Sequence, residues 1–370
     1  MIIGTVKEIK SHEYRVGLTP ESAAELSKSG HRVLVETGAG LGIGASNEQY
    51  VSAGAEVLGT AGEVFSSAEM IVKVKEPQKE ERARLRPDQI LFTYLHLAPD
   101  PQQAEDLVAS HAVCIAYETV TDDASALPLL KPMSQVAGRL AIQAGASALE
   151  KVHGGRGVLL GGVPGVPPAR VTIIGGGVVG LNAAQMAVGL GADVTIFDRN
   201  VDVLERLNLH FGSLAKTCFA SATAIAQALE SSDLVIGAVL IPGAAAPKLV
   251  SRSDLRSMKA GSVLVDVAID QGGCFETSRP TTHDAPTFVE EGIVHYCVAN
   301  MPGAVARTSA YALNNVTLPF VARLANLGWK AALKADHHLA NGLNVCRGHI
   351  TNGAVAKALG ASFVEPANQL

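Results

Sequence analysis

Short apolar runs and amphipathic stretches alternate along the chain from its first residues. Ile2–Val6, Arg32–Glu36, Met70–Lys75, Ile90–Tyr94 and Val113–Tyr117 have the length and branched side chains of strands. Between them, residues 20–29, 47–53 and 101–110 place apolar side chains at helical spacing. This rhythm predicts parallel strands with helices packed on the sheet faces. Pro128 and Pro132 interrupt it, and Ser134 is expected to open a long helix of small residues reaching about Val152, a rigid connector.

Residues 154–168 hold six glycines and three prolines, which marks them as a loop. The alternation then restarts with predicted strands at Arg170–Ile174, Asp193–Asp198, Leu234–Ala238, Ser262–Asp266 and Ile293–Cys297. From Ala304 the pattern is helical through Leu333, followed by polar connectors and a last helix at Gly353–Leu359. The predicted class is α/β, with two Rossmann-like doubly wound domains, mostly parallel sheets and long linking helices. A helical block after a complete nucleotide-binding half suggests that the C-terminal residues return to the first domain.

Composition narrows the function. No apolar run reaches the ~18–20 residues of a membrane helix, and the N-terminus reads as a strand, not a signal peptide. The net charge of −5, with dispersed basic residues, argues against a nucleic-acid partner. Cys114, Cys218, Cys274, Cys297 and Cys346 contain no C-x-x-C pair and read as reduced thiols of a cytoplasmic protein. His337, His338, Cys346 and His349 match no zinc spacing, so no metal is expected.

Chemistry concentrates at strand ends. Gly175-Gly176-Gly177-Val178-Val179-Gly180 is a G-x-G-x-x-G motif between a predicted strand and the helix 178–190. In that setting Gly175 makes the tight turn, Gly177 admits a pyrophosphate, and Gly180 lets the helix approach the strand. Asp198 ends the next strand, where an acid binds the adenosine ribose and repels a 2′-phosphate; this favours NAD, although Arg199 beside it keeps NADP open. In the first half, Arg15 lies beyond the first strand, Lys75 ends the run 70–75, and His96 follows the run 90–94. Taken singly, these also read as solvated charges and a strand-end histidine. Their shared sheet edge instead suits a small carboxylate substrate that exchanges a proton. Asp270 follows the strand 262–266, either as a turn residue or as a carboxylate facing the nicotinamide, and Asn300-Met301 follows the last strand.

With these pieces in order, the chain resembles the bacterial alanine dehydrogenases, whose family also includes the NAD-binding part of proton-translocating transhydrogenase. The resemblance covers essentially the whole sequence. It is most specific at Lys7–Pro20, Val74–Pro77, Thr93–His96, Pro132–Ser134, Asn300–Arg307 and Val265–Pro280, the last containing Asp270-Gln271-Gly272-Gly273 and Ser278-Arg279-Pro280. It implies NAD-dependent, reversible oxidative deamination of L-alanine to pyruvate and ammonium. Arg15 and Lys75 would hold the carboxylate, His96 would be the general acid/base and Asp270 the second catalytic group. Ser134, Gly175, Gly177, Val178, Val179, Gly180, Asp198, Val239, Leu240, Val267, Ala268, Ile269, Asp270, Arg279, Val298, Ala299, Asn300 and Met301 match cofactor-contacting positions.

The resemblance also implies a substrate domain of residues 1–130 and 307–370, an NAD-binding domain of residues 131–306, and a homo-hexamer. Val203 and Ala220 depart from the basic residue and serine often found there, which bears on adenosine contacts. Two other assignments are a transhydrogenase subunit serving a membrane partner and a saccharopine-type amino-acid dehydrogenase. The set Arg15, Lys75, His96 and Asp270 argues against the first.

Overall fold

Helix starts are set by local side chains. Thr19 accepts the Ser22 N–H at 3.3 Å just before Pro20, and Asp100 accepts the Gln103 N–H at 3.0 Å just before Pro101. Pro20–Lys28 and Pro101–Ser110 therefore begin with a capped end and a proline whose missing N–H has no intrahelical partner to lose. Reciprocal capping boxes at Ser46/Gln49 and Thr60/Glu63 open Asn47–Ser52 and Ala61–Ser67.

The computed structural model describes residues 1–239 and 246–370. It divides into one unit of Met1–Met133 with Gly303–Leu370 and a second of Ser134–Pro302. Along the chain, the first unit begins with strands β1 (Ile2–Thr5), β2 (Arg32–Glu36), β3 (Glu56–Leu58), β4 (Met70–Val72), β5 (Ile90–Thr93) and β6 (Val113–Ala116). The second holds β7 (Arg170–Ile174), β8 (Asp193–Asp198), β9 (Ala215–Phe219), β10 (Leu234–Gly237), β11 (Val263–Asp266), β12 (Thr287–Glu290) and β13 (Ile293–Tyr296). After Gly303 the chain rejoins the first unit and adds β14 (Leu343–Cys346) and β15 (His349–Ile350).

Both sheets have the doubly wound order. In the first unit β3-β2-β1-β4-β5-β6 are all parallel, extended by antiparallel β14 and β15. In the second, β9-β8-β7-β10-β11-β13 are parallel and β12 is an antiparallel edge. Each chain path reverses beside its first strand, between β1 and β4 and between β7 and β10. That reversal opens a crevice at the strand C-termini, where such sheets take ligands. The central strands are buried on both faces, as their continuous apolar runs require.

Three local expectations need correction. The connector helix runs Lys131–Ala148, not from Ser134 to Val152, because Pro132 falls in a first turn that tolerates proline. The helical block 304–333 is two helices, Ala306–Leu327 and Trp329–Ala335, broken at Gly328 with φ +72°. The polar connectors near 340–350 contain β14. Its Asn344 hid the strand pattern, and its amide donates to Thr119 Oγ1 at 2.7 Å and to the Gly342 carbonyl at 2.9 Å.

Candidate active site

In the first unit, the loop after β1 folds over the end of β4. Gly17 permits this, because a Cβ there would lie 2.2 Å from the Val72 carbonyl oxygen. The loop delivers Arg15, which is 2% exposed. Its Nε and one terminal nitrogen donate to the two Glu13 oxygens at 2.7 and 2.5 Å, and its other terminal nitrogen donates to Met133 Sδ at 3.0 Å. Burial disfavours the guanidinium charge, but the Glu13 pair overrides it and holds the pKa above the ordinary value. Thioether sulfur is a weak acceptor, so the edge of Arg15 turned to Met133 suits a stronger one such as a carboxylate.

Lys75 follows β4, its side chain 13% exposed, with Nζ 4.0 Å from Glu76 Oε2. Burial would raise the Glu76 pKa, but the ammonium groups of Lys75 and Lys10 draw it below the ordinary range. The strand end is braced from beneath. Lys73 is fully buried and donates to Glu8 at 2.8 Å and Glu81 at 2.7 Å. The other Glu8 oxygen accepts the N–H groups of Val74 at 2.7 Å and Lys75 at 3.4 Å. One cation between two carboxylates leaves a net negative charge. Burial and Glu81 raise the Glu8 pKa against the pull of Lys73, and the two carboxylates raise that of Lys73 against burial.

His96 stands beyond β5 in a left-handed conformation, φ +49°. Glu118, following β6, accepts the His96 N–H at 2.6 Å and the Leu95 N–H at 3.1 Å, with an oxygen 3.9 Å from His96 Nδ1. The imidazole stacks on Tyr94, whose hydroxyl donates to the Leu129 carbonyl at 2.6 Å. The side chain is 42% exposed, so its ring reaches solvent from a fixed base. Burial raises the Tyr94 pKa beyond a working range, which leaves the phenol a structural donor.

In the second unit the glycine loop separates into distinct roles. A Cβ at Gly175, where φ is +106°, would meet the Ala238 carbonyl oxygen at 2.6 Å, and one at Gly180 would meet the Gly175 carbonyl oxygen at 1.8 Å. At Gly177, which caps Val178–Gly189, a Cβ would meet nothing within 4 Å. The tight turn and the helix contact are thus filled, while the middle glycine and the helix N-terminus face open space. This fits a dinucleotide pyrophosphate. Asp198 accepts the Gly176 N–H at 2.7 Å and the Asn200 N–H at 2.8 Å, so it orders the loop as well as presenting a carboxylate beside it. Val203 also flanks Gly176, and the Ala220 N–H donates to the Asp198 carbonyl.

The remaining cofactor candidates divide. Val239 lies beside Gly175 at the end of β10, and the Val267 N–H bonds the Gly237 carbonyl at 3.0 Å. Ala268 and Ile269 are buried, whereas Asp270 is exposed in the turn that follows. Val298 and Met301 are buried and Ala299 and Asn300 half-buried beyond β13, with Asn300 at φ +63°. Ser134 sits one turn before Gly138, where the connector helix meets the Val179 carbonyl, on the same helix face. Arg279 is exposed and lies 4.1 Å over the Phe288 ring. Leu240 lies outside the described residues.

The bracing carboxylates Glu8, Glu13, Glu118 and Asp266 were missed in the sequence: what Glu8, Glu118 and Asp266 hold is remote or on the backbone, and Glu13, two residues from Arg15, reads as a solvated charge until folding buries it. Asp266 is fully buried and accepts N–H groups from Ala268, Cys274 and Phe275 and the Ser278 hydroxyl. A lone acid at the end of a β11-type strand was the available signal.

Comparison with known proteins places the whole chain in one family. Residues 4–137 match the model of the alanine dehydrogenase/PNT N-terminal domain, and residues 141–353 match that of the C-terminal domain. The chain is 59% identical to an alanine dehydrogenase of Halomonas elongata over 100% of this chain and 99% of the relative. It is 56% identical to an alanine dehydrogenase of Bacillus subtilis over 98% and 96%. A solved L-alanine dehydrogenase superposes with a TM-score of 0.95 at 52% identity, covering 97% of this chain and 99% of that one. A transhydrogenase from Sinorhizobium meliloti follows at 0.81 and 27%, covering 96% and 100%.

Proposed function

The chain belongs to the alanine dehydrogenase/PNT family, and from that premise we propose how its residues carry the reaction. It is an NAD-dependent oxidoreductase that converts L-alanine and water reversibly to pyruvate and ammonium, with release of a proton. NAD, when bound, supplies the acceptor for the hydride on the alanine Cα.

Arg15 and Lys75 bind the substrate carboxylate. Arg15 is oriented by Glu13, while the Lys75 ammonium, on a strand end held by Glu8, also polarises the keto oxygen in the amination direction. Once the substrate ammonium has given up the proton that the overall reaction releases, loss of the Cα hydride leaves an iminium carbon that water attacks. His96 takes the proton released by that water and returns one to the departing nitrogen, so the carbinolamine collapses to pyruvate and ammonium. Asp270 adds a negative charge that favours the substrate ammonium and the oxidised ring. The glycine loop and Asp198 hold the dinucleotide, with the carboxylate disfavouring a 2′-phosphate. The observation that carries this reading is His96: an exposed imidazole, turned outward by a left-handed backbone that Glu118 pins through two N–H groups.

The protein works in the cytoplasm as a homo-oligomer, a hexamer by family resemblance. Among the described residues no helix is long and apolar enough to cross a membrane, and four of the free cysteines are buried. Absorbance at 340 nm with purified protein, NAD⁺ and a panel of L-amino acids tests the activity. Fast NADH production with alanine is expected, and none with any amino acid refutes it. Light scattering tests for a mass six times 38.3 kDa.

A further inference from the structure

The turn that carries Asp270 is gripped from two sides by opposite charges. Beneath it, the buried Asp266 carboxylate accepts the N–H groups of Ala268 at 3.0 Å, Cys274 at 2.9 Å and Phe275 at 3.3 Å, and the Ser278 hydroxyl at 2.5 Å. On the carbonyl side, Lys248 Nζ donates to Gly272 at 2.6 Å, Gly273 at 2.8 Å and Phe275 at 3.1 Å. Those bonds engage all three ammonium hydrogens. They converge because Gly272 and Gly273 both take positive φ, +87° and +74°, which a side chain rarely adopts. The Lys248 segment is itself laced to the turn: the Ala246 N–H bonds the Gln271 carbonyl at 3.1 Å and the Leu249 N–H bonds the Cys274 carbonyl at 2.7 Å.

We propose that Lys248 is a positioning residue that fixes the Asp270 carboxylate for the reaction. A peptide plane presents its N–H and C=O in opposite directions. An anion on one side and a cation on the other therefore restrain rotations that neither restrains alone. Asp266 is buried and serves the fold. Lys248 is surface-exposed, so its ammonium can be removed and water can take over the three carbonyls. What is then lost is the fixed orientation of the turn and, with it, the placement of Asp270. The inference rests on the assignment of Asp270 as a reacting-site carboxylate, and its test separates the two.

Lys248→Met, Lys248→Gln and Lys248→Arg are compared with Asp270→Asn and with the Lys248→Met/Asp270→Asn double variant in the full-length enzyme. Lys248→Met and Lys248→Gln are expected to bind NADH within about threefold of wild type and to keep the alanine KM within the same range. Their kcat should fall roughly ten- to a hundredfold, as misplacement of a reacting group on the order of 1 Å allows. The isotope effect with Cα-deuterated alanine should rise, Lys248→Arg should recover most of kcat, and the double variant should be no slower than Asp270→Asn alone. Wild-type kcat in Lys248→Met with an impaired Asp270→Asn overturns the positioning role and leaves Asp270 in place. Independent, multiplying losses in the double variant, or parallel loss of NADH binding in both neutral variants, make Lys248 a general scaffold and also overturn it. A fully active Asp270→Asn removes the assignment on which the inference rests.

Discussion

Adding one methyl group at two positions three residues apart in the glycine loop should give opposite outcomes. At Gly180 the new Cβ would sit 1.8 Å from the Gly175 carbonyl oxygen, whereas ordinary contact begins at 3.4 Å. Helix Val178–Gly189 would have to retreat by about 1.6 Å or distort, an overpacking cost of ~1–3 kcal/mol or more. For a unit of this size that lowers Tm by roughly 3–10 °C. At Gly177 the backbone has φ −70°, ψ −160°, which alanine adopts without strain, and a Cβ there meets nothing within 4 Å. Gly177→Ala should therefore leave Tm unchanged or raise it slightly, since the unfolded chain loses freedom worth ~0.4–1 kcal/mol. Its methyl group, however, occupies the space a pyrophosphate must enter to reach the helix N-terminus. Losing one charge-assisted hydrogen bond of ~1.5–3 kcal/mol weakens NADH binding by about tenfold or more. Fluorescence titration of NADH and thermal melts on both variants provide the assay. An unchanged Kd in Gly177→Ala would falsify the placement of the pyrophosphate. A Gly180→Ala protein as stable as wild type would refute the steric argument.

Three further outcomes are expected. Asp198→Ala should weaken NAD and shift the kcat/KM ratio toward NADP, since it removes both the 2′-phosphate repulsion and the bond that orders Gly176; an unmoved ratio means that Asp198 does not read the ribose. His96→Ala should lose about 10²–10⁴ in turnover while NADH affinity stays within a few-fold, and near-normal turnover would take His96 out of the mechanism. His295 is buried and neutral, bonded to Thr277 and the Ile293 carbonyl, and burial lowers its pKa. The unfolded chain then binds the extra proton first, so this stability is full above ~6.5 and falls as pH drops from there toward the folded value. The Tm gap between wild type and His295→Gln should narrow from pH 8 to pH 5.5, and a constant gap would break the linkage.

Much of the architecture was legible because its causes are local. Arg32–Glu36, Arg170–Ile174, Asp193–Asp198 and Pro101–Ser110 appear at their expected bounds. A doubly buried strand needs an unbroken apolar run, and a helix start needs a cap and tolerates proline, both of which are written in neighbouring residues. The glycine motif was legible for the same reason: turn, ligand approach and helix contact all fall within six residues. Edges were less so. β9 and β12 are half-exposed and β14 carries Asn344, so none of them shows an unbroken apolar run, and β14 depends further on pairing with β6, remote in sequence.

The candidate site shows the same division. Arg15, Lys75 and His96 could be named because a parallel sheet puts the ends of its strands on one edge. What the sequence alone determined was therefore which residue types stand at which strand ends. What only the tertiary structure decided was how those residues are held: Glu13 on Arg15, Glu8 and Lys73 under Lys75, Glu118 behind His96, and Asp266 and Lys248 around the Asp270 turn. Apart from Glu13, each makes bonds that span between 8 and 67 residues of sequence. Their placement follows from strand order and burial: an acid is an ordinary solvated charge until folding removes its water and leaves it a guanidinium, an ammonium or a pair of backbone N–H groups.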